Sequence, residues 1–297
     1  MSVIFSLEAP YRGAYRLHRL SFGHGGPTTA IVAGVHGNEV NGVYALNLLA
    51  AVLSVRRPVG TVHLLPCVNL VGAAEGRKRW PFDDRDLNTA FPGRADGLGV
   101  ERVAHAVMAG TEADTCIDVQ SGSATVHEHP HARCPTSGGE LDTARASALP
   151  IVWRRSGERF QEGLVSAWRD AGRKAIVVRG GRGGVLDMPD TQIMASGLVR
   201  ILTHLGHVPA QEPAAATLEV DHVEDYRSGA GGFFVPEVRC GDAVSAGTLL
   251  GILRNPLGGQ PIEQLFARRA GRILAVRVYP MAHAQELLVR VAEDPFG

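Results

Sequence analysis

Residues 28–42 read TTAIVAGVHGNEVNG. The first eight, 28–35, are short, apolar and β-branched, the pattern of a strand buried on both faces. A polar turn, His36-Gly37-Asn38-Glu39, follows, and beyond it Val43, Leu46, Leu49, Ala50 and Leu53 recur on one helical face. A strand feeding a helix through a tight polar turn is the building unit of an α/β sheet, and such sheets bind ligands at their strand ends. A His and a carboxylate three positions apart at that junction can both reach one metal ion, through imidazole nitrogen and carboxylate oxygen. The same spacing also serves a plain helix cap at Glu39. Gly37 is free to take a backbone angle closed to other residues.

Outward from this unit, further strands are expected at 61–69, 114–121 and 174–180, with helices at 158–172 and 190–206. The last helix repeats Met194, Leu198, Ile201, Leu202 and Leu205, with Asp190 or Thr191 placed to cap it and Gly206 to end it. Strands alternating with helices predict an α/β layer with a mostly parallel sheet. After Gly206 the pattern changes. Residues 207–225 contain PAQEPAAA and five acids without one base, the composition of a linker or exposed strand. Beyond them, short β runs alternate with Gly and Pro turns, and no helix-length period survives. The expected division is an α/β domain over 1–207 and a small all-β domain over 208–297, whose two β stretches resemble a loose internal duplication.

The 297 residues carry 30 Lys/Arg and 30 Asp/Glu, with 45% hydrophobic residues, which describes a soluble globular chain. Zero net charge removes the usual electrostatic argument for nucleic acid or a membrane surface as partner, and it favours self-association into a homo-oligomer. No window approaches 18 uninterrupted apolar residues, and the N-terminus has neither a basic region nor a long apolar run. Four cysteines without a CxxC pair read as reduced structural thiols, and a cytoplasmic location is the expectation. Charge is nevertheless uneven, since residues 151–182 hold eight Arg/Lys against three acids. That excess, ending at Arg179 and Arg182, predicts a small anionic ligand.

Three further segments carry polar chemistry. Residues 79–93, RWPFDDRDLNTAFPG, are a polar loop pinned by Leu87 and Phe91, the make-up of a site wall. DVQSGS at 118–123 lies at a strand end. HEHPHAR at 127–133 alternates three imidazoles, which suits either a metal site or a polar loop.

Together these pieces resemble the succinylglutamate desuccinylase/aspartoacylase family of zinc-dependent deacylases. GVHGNEVNG at 34–42 is similar to that family's GxHGxE element, DLNTAFPG at 86–93 to its DLNRxFPG element, and DVQSGS to its DLHxG strand. HPHAR at 129–133 resembles an LPxxR stretch, and KAIVVRGGRGG at 174–184 resembles a strand that normally ends in Glu before glycines. The likeness continues through GGFFVPEVRCGDAV into the tail. It implies a zinc-carboxypeptidase-like mixed sheet flanked by helices, with His36 and Glu39 as zinc ligands. It also exposes three changes of chemical type: Gln120 replaces the third ligand, a His; Arg179 replaces the Glu that moves the proton; Thr89 replaces an Arg that holds the substrate.

Three readings follow. In the first, a zinc-dependent hydrolase acts on an N-acylated amino acid or similar small anionic amide in a remodelled site. Gln120, His127 or His129 then completes the metal sphere, and Glu128 or a neighbouring His supplies the base. Arg179 clamps an anion or oxyanion, and Arg79, Asn88 and Arg133 hold the substrate. In the second, a metal-free pseudoenzyme or binding module grips a carboxylate through Arg179 and Arg133. In the third, the same pocket runs acyl transfer or elimination.

Overall fold

The computed structural model describes residues 1–9, 13–156, 163–209 and 217–294. In chain order the elements are β1 (Ser2–Ala9), β2 (Gly13–His24), β3 (Thr28–Ala33), α1 (Val40–Arg56), β4 (Gly60–Leu65), α2 (Leu70–Ala74), α3 (Gly99–Gly110), β5 (Thr115–Gly122), β6 (Val126–Pro135), α4 (Gly139–Ala146), β7 (Ile151–Arg155), α5 (Gly163–Asp170), β8 (Lys174–Arg182) and α6 (Met188–His204). The all-β tail follows as β9 (Leu218–Val220), β10 (Val223–Arg227), β11 (Gly232–Pro236), β12 (Ala243–Val244), β13 (Leu249–Arg254), β14 (Pro261–Phe266), β15 (Gly271–Arg277), β16 (Met281–Ala282) and β17 (Leu287–Glu293).

The main sheet runs β1-β2-β4-β3-β5-β8-β6-β15-β17-β10, with β7 and β9 attached beside β6 and β12 beside β15. Its centre, β4-β3-β5-β8, is parallel, and β2 and β6 join that centre antiparallel. The sheet is therefore mixed. The mostly parallel arrangement expected from the strand–helix alternation holds for the four central strands and for the β6-β7-β9 branch, while the remaining pairs are antiparallel.

Alternation along these strands sorts the core into two layers. Ile31, Ala33, Ile117, Val119, Ile176 and Val178 pack on one face with residues of α1, α4 and α6. Ala30, Val32, Cys116, Ala175 and Val177 face the other way, toward α3, α5, Trp80 and Trp168. Burial on both faces is what the continuous apolar runs predicted.

Helix α6 begins at Met188, earlier than the expected 190, because Asp187 is the cap: its Oδ1 accepts the Asp190 N–H at 3.1 Å, with Pro189 in the first turn. Of the helix expected at 158–172, residues 163–170 are helical, and 158–162 lie outside the described residues. So does most of PAQEPAAA, at 210–216. The HEHPHAR segment is strand β6, and α3 and α4 are helices that the periodic reading did not include.

Beyond α6, tail strands β15, β17 and β10 extend the main sheet, with β9 and β12 at its side; β15 pairs with β6 through Ala275–Glu128, Val276–His127 and Arg277–Val126. A separate four-stranded sheet, β14-β13-β11-β16, packs over them around Phe234, Leu250, Leu253 and Leu288. Among the described residues, no helix is long and apolar enough to cross a membrane.

Candidate functional site: the strand ends beside His36

The turn after β3 carries two of the expected residues. Gly34 sits at φ 65°, where a side chain would be strained. Gly37 is required for a different reason than backbone angle: a Cβ there would lie 2.3 Å from the Gly72 carbonyl carbon. The turn is thus pressed onto α2. Glu39 occupies the cap position of α1 but makes no side-chain cap hydrogen bond. Its carboxylate turns to His36 instead, with Oε1 at 3.0 Å from Nδ1. The other oxygen, Oε2, is buried with no hydrogen-bond partner.

On its far side, His36 Nε2 lies 2.9 Å from Asp86 Oδ1. Asp86 is positioned by the start of the DLN turn, where Oδ1 also accepts the Asn88 N–H at 3.0 Å, and its Oδ2 pairs with Lys78 Nζ at 3.2 Å. The fully buried Leu87 and Trp80 hold this loop down. Burial opposes charge on His36, but the hydrogen bonds to Asp86 and Glu39 outweigh it and raise its pKa to about 9. The same pairing holds the Asp86 carboxyl below its usual range.

Cross-strand register assembles the opposite wall. Gln120 on β5 neighbours Arg179 on β8, and both side chains leave the sheet on the face shared with Cys116 and Val177. Gln120 Nε2 donates to Asp118 Oδ2 at 2.6 Å, and its Oε1 accepts from an Arg179 terminal nitrogen at 2.7 Å. On β6, His131 lies opposite Arg179 and Arg133 opposite Val177, and a register shift between Glu128 and His131 brings Glu128 onto the same face. Glu128, only 4% exposed, accepts from Arg133 at 2.9 Å and pairs with Arg179 Nε at 3.1 Å. Burial alone would raise the Glu128 pKa, but Arg179 and Arg133 hold it down at about 2. His131 Nε2 accepts from Arg133 Nε at 2.9 Å, and burial followed by Arg133 pushes its pKa down to about 3.

These groups surround a cavity of about 1390 Å3, whose lining includes His36, Glu39, Asn88, Gln120, Arg133 and Arg179. Seven Lys/Arg line it against three Asp/Glu. Asn88 also fixes the start of α5, its Oδ1 accepting the Leu164 N–H at 3.1 Å. Glu128 stands behind the wall, hydrogen-bonded to Arg133 and ion-paired with Arg179. Arg79 is not among the lining residues; it is largely exposed and donates to the Asp84 carbonyl at 3.0 Å. His129 is not among them either, its carbonyl accepting from His131 Nδ1 at 2.7 Å. His127 bonds Asp190 at 2.6 Å, and with Asp187 these form a group whose ligand atoms lie within 4.8 Å of one another, separate from His36. Asp86 and Lys78 join the site in addition to the residues expected from the sequence. The signal for Asp86 was available, since an acid two residues before Asn88 is placed to cap the turn.

His36 Nδ1 and the unpartnered Glu39 Oε2 suit two positions of a metal site, with Asp86 behind the imidazole as such sites usually have. The third position does not fit. The one Gln120 atom that could ligate already accepts a guanidinium N–H. A unit charge pair 4 Å apart interacts by about 4 kcal/mol at an effective dielectric constant of about 20, and a divalent ion doubles that repulsion. The residues present therefore do not make a three-donor zinc centre.

A sheet with a parallel centre and a polar cavity at its strand ends has the layout of an α/β ligand site. Residues 25–205 match the succinylglutamate desuccinylase/aspartoacylase catalytic domain, and the chain belongs to that family. It is similar to N-alpha-acetyl-L-2,4-diaminobutyric acid deacetylase of Halomonas elongata, 26% identical over 270 residues that cover 86% of this chain and 78% of that protein. Its fold is similar to the product-bound ectoine utilization protein EutE (DoeB) of Ruegeria pomeroyi, with TM-score 0.84, 23% identity and coverage of 97% and 93% of the two chains. A succinylglutamate desuccinylase from Silicibacter shares the fold at TM-score 0.81 and 22% identity, over 95% and 90% of the chains.

Proposed function

We propose that the protein takes a small anionic N-acyl amino acid, or a similar anionic amide, into the cavity beside His36 and hydrolyses its acyl–nitrogen bond in a remodelled deacylase centre. The observation that carries the ligand class is the lining, seven Lys/Arg against three acids in a chain of zero net charge. Carboxylates gain charge-assisted hydrogen bonds from such groups, bidentate ones from arginine. Hydrolysis is supported by family membership and by the deacetylase relative. In this reading Arg179 donates to the ligand's carboxylate, or to the oxygen that turns negative as water adds. Glu39 Oε2 accepts the ligand's N–H or a proton from water. Asp86 fixes the ring of His36.

A second reading, capture of the anion without hydrolysis, is favoured by Arg179 itself. It stands where the family resemblance expects a proton acceptor, and a guanidinium stays protonated. One experiment separates the two. A panel of N-acetyl amino acids and their methyl esters is offered to the protein, with chelator and with added zinc, while calorimetry follows binding and amine derivatisation follows cleavage. Release of free amine from the carboxylate forms is the expected result. Saturable binding without release would establish capture alone, and equal binding of ester and acid would overturn the ligand class.

A further inference from the structure

We propose that Arg179 takes the place of a metal ion as the fixed positive charge of this site, so that the cavity holds its anionic ligand without a bound cation. The ligand half rests on the functional reading above; the metal half stands on the geometry alone.

Gln120 has little freedom. Its amide nitrogen is committed to Asp118 at 2.6 Å, which leaves Oε1 facing Arg179, whose terminal nitrogen donates to it at 2.7 Å. Arg179 is equally constrained, because its Nε pairs at 3.1 Å with Glu128, and Glu128 is 4% exposed. Swinging the guanidinium aside to admit a metal would strip one of two partners from a buried carboxylate, a change proteins tolerate poorly. The surrounding charge is also already compensated. Four carboxylates, Glu39, Asp86, Asp118 and Glu128, face Lys78, Arg133, Arg179 and the imidazole of His36, so balance is reached to within one unit with no added cation.

An acceptor is left for the ligand. Glu39 is 5% exposed, and its Oε2, on a residue that lines the cavity, has no hydrogen-bond partner. An N-acyl amino acid carries both complements, a carboxylate for Arg179 and an amide N–H for Glu39. The pairing needs no metal to polarise or orient it.

The test is metal content. The full chain is equilibrated with excess zinc, desalted and analysed by mass spectrometry for metals, beside His36→Ala, His127→Ala and the double variant Gln120→His/Arg179→Glu, each checked for folding by circular dichroism. The expected wild-type result is below about 0.1 zinc at the His36 centre, and near one in the folded double variant, which restores three donors. Zinc that survives His36→Ala but is lost with His127→Ala belongs to the His127–Asp187–Asp190 group and supports the proposal. Near-stoichiometric wild-type zinc that disappears with His36→Ala overturns it, as does a folded double variant that gains none.

The ligand half is read by calorimetry in chelator with the tightest-binding N-acetyl amino acid of the panel above. Wild-type affinity should be unchanged by chelation, and Arg179→Met should lower it roughly 10- to 100-fold, the worth of a charge-assisted hydrogen bond. A chelator-sensitive affinity, or one indifferent to Arg179→Met, would count against the proposal. Failure of every panel member to bind would instead remove the ligand class and leave the zinc result to decide the rest.

Discussion

At Glu128 one carboxylate holds two guanidinium groups, Arg133 at 2.9 Å and Arg179 at 3.1 Å. Removing it leaves both cations facing each other in a buried wall. Glu128→Ala should destabilise the protein by about 3 kcal/mol in urea denaturation, the lower range for breaking a buried pair; a loss under about 1 kcal/mol would mean that solvent screens the pair. A second residue-scale prediction concerns His36, whose pKa of about 9 depends first on Asp86 among its hydrogen-bond partners. In Asp86→Asn, an NMR titration of the imidazole in chelator should show that pKa moving back toward the ordinary histidine value, and an unmoved curve would remove Asp86 from the account. The His36–Glu39 pair was legible in the sequence because both residues sit within one turn of chain. The Glu128 bracket was not, since it depends on which residue of β6 falls opposite Arg179 and on a register shift that spacing does not reveal.

Among the elements, strand β3 and helices α1 and α6 could be read in advance because their apolar periods are unbroken. Strand β6 was not legible: His-Glu-His-Pro-His has the composition of a polar loop or a metal site, the only two readings its sequence offered. Its pairing with β8 on one edge and with β15 and β7 on the other makes it a strand. Helix α3, with Val100, Val103, Ala104 and Val107 buried on one side, carries a period that was present in the sequence. The packing of the His36 turn on α2 makes an element-scale prediction. Gly37→Ala would place a methyl group 2.3 Å from backbone carbon of α2. It should lower stability by about 1–3 kcal/mol, as overpacking does, and disturb the His36 titration. A melting curve identical to wild type would show that the turn can lift away.

For the whole molecule, the buried histidine and carboxylate make stability depend on acid. His131 holds a pKa of about 3 when folded, so the unfolded chain takes up a proton first as pH falls through about 6.5. Stability is then lost at about 1.4 kcal/mol per pH unit until the folded histidine also protonates. Glu128, held at about 2, adds a loss of the same sign once pH drops below the ordinary carboxylate range. Urea denaturation at pH 7 and pH 5 should therefore differ by about 2 kcal/mol from this histidine alone, and His131→Gln should flatten the difference. The tail poses a matching question about the boundary expected at 207/208. Because β15 pairs with β6 and covers its first half, a chain stopped at residue 207 should lose its cooperative melting transition. A sharp melt from that fragment would show that the α/β part stands without its tail.

The sheet forks at β6: β8 takes one edge, while β15 and β7 divide the other between its first and second halves. A strand with both edges occupied releases its amide protons only when several neighbours part together. In hydrogen–deuterium exchange, residues 126–135 should thus be among the last to label, far behind the edge hairpin of β1 and β2. The arginine-holding wall of the cavity would then belong to the slowest-opening unit of the chain, and any partner seated on the tail would be felt there as a change in exchange rate.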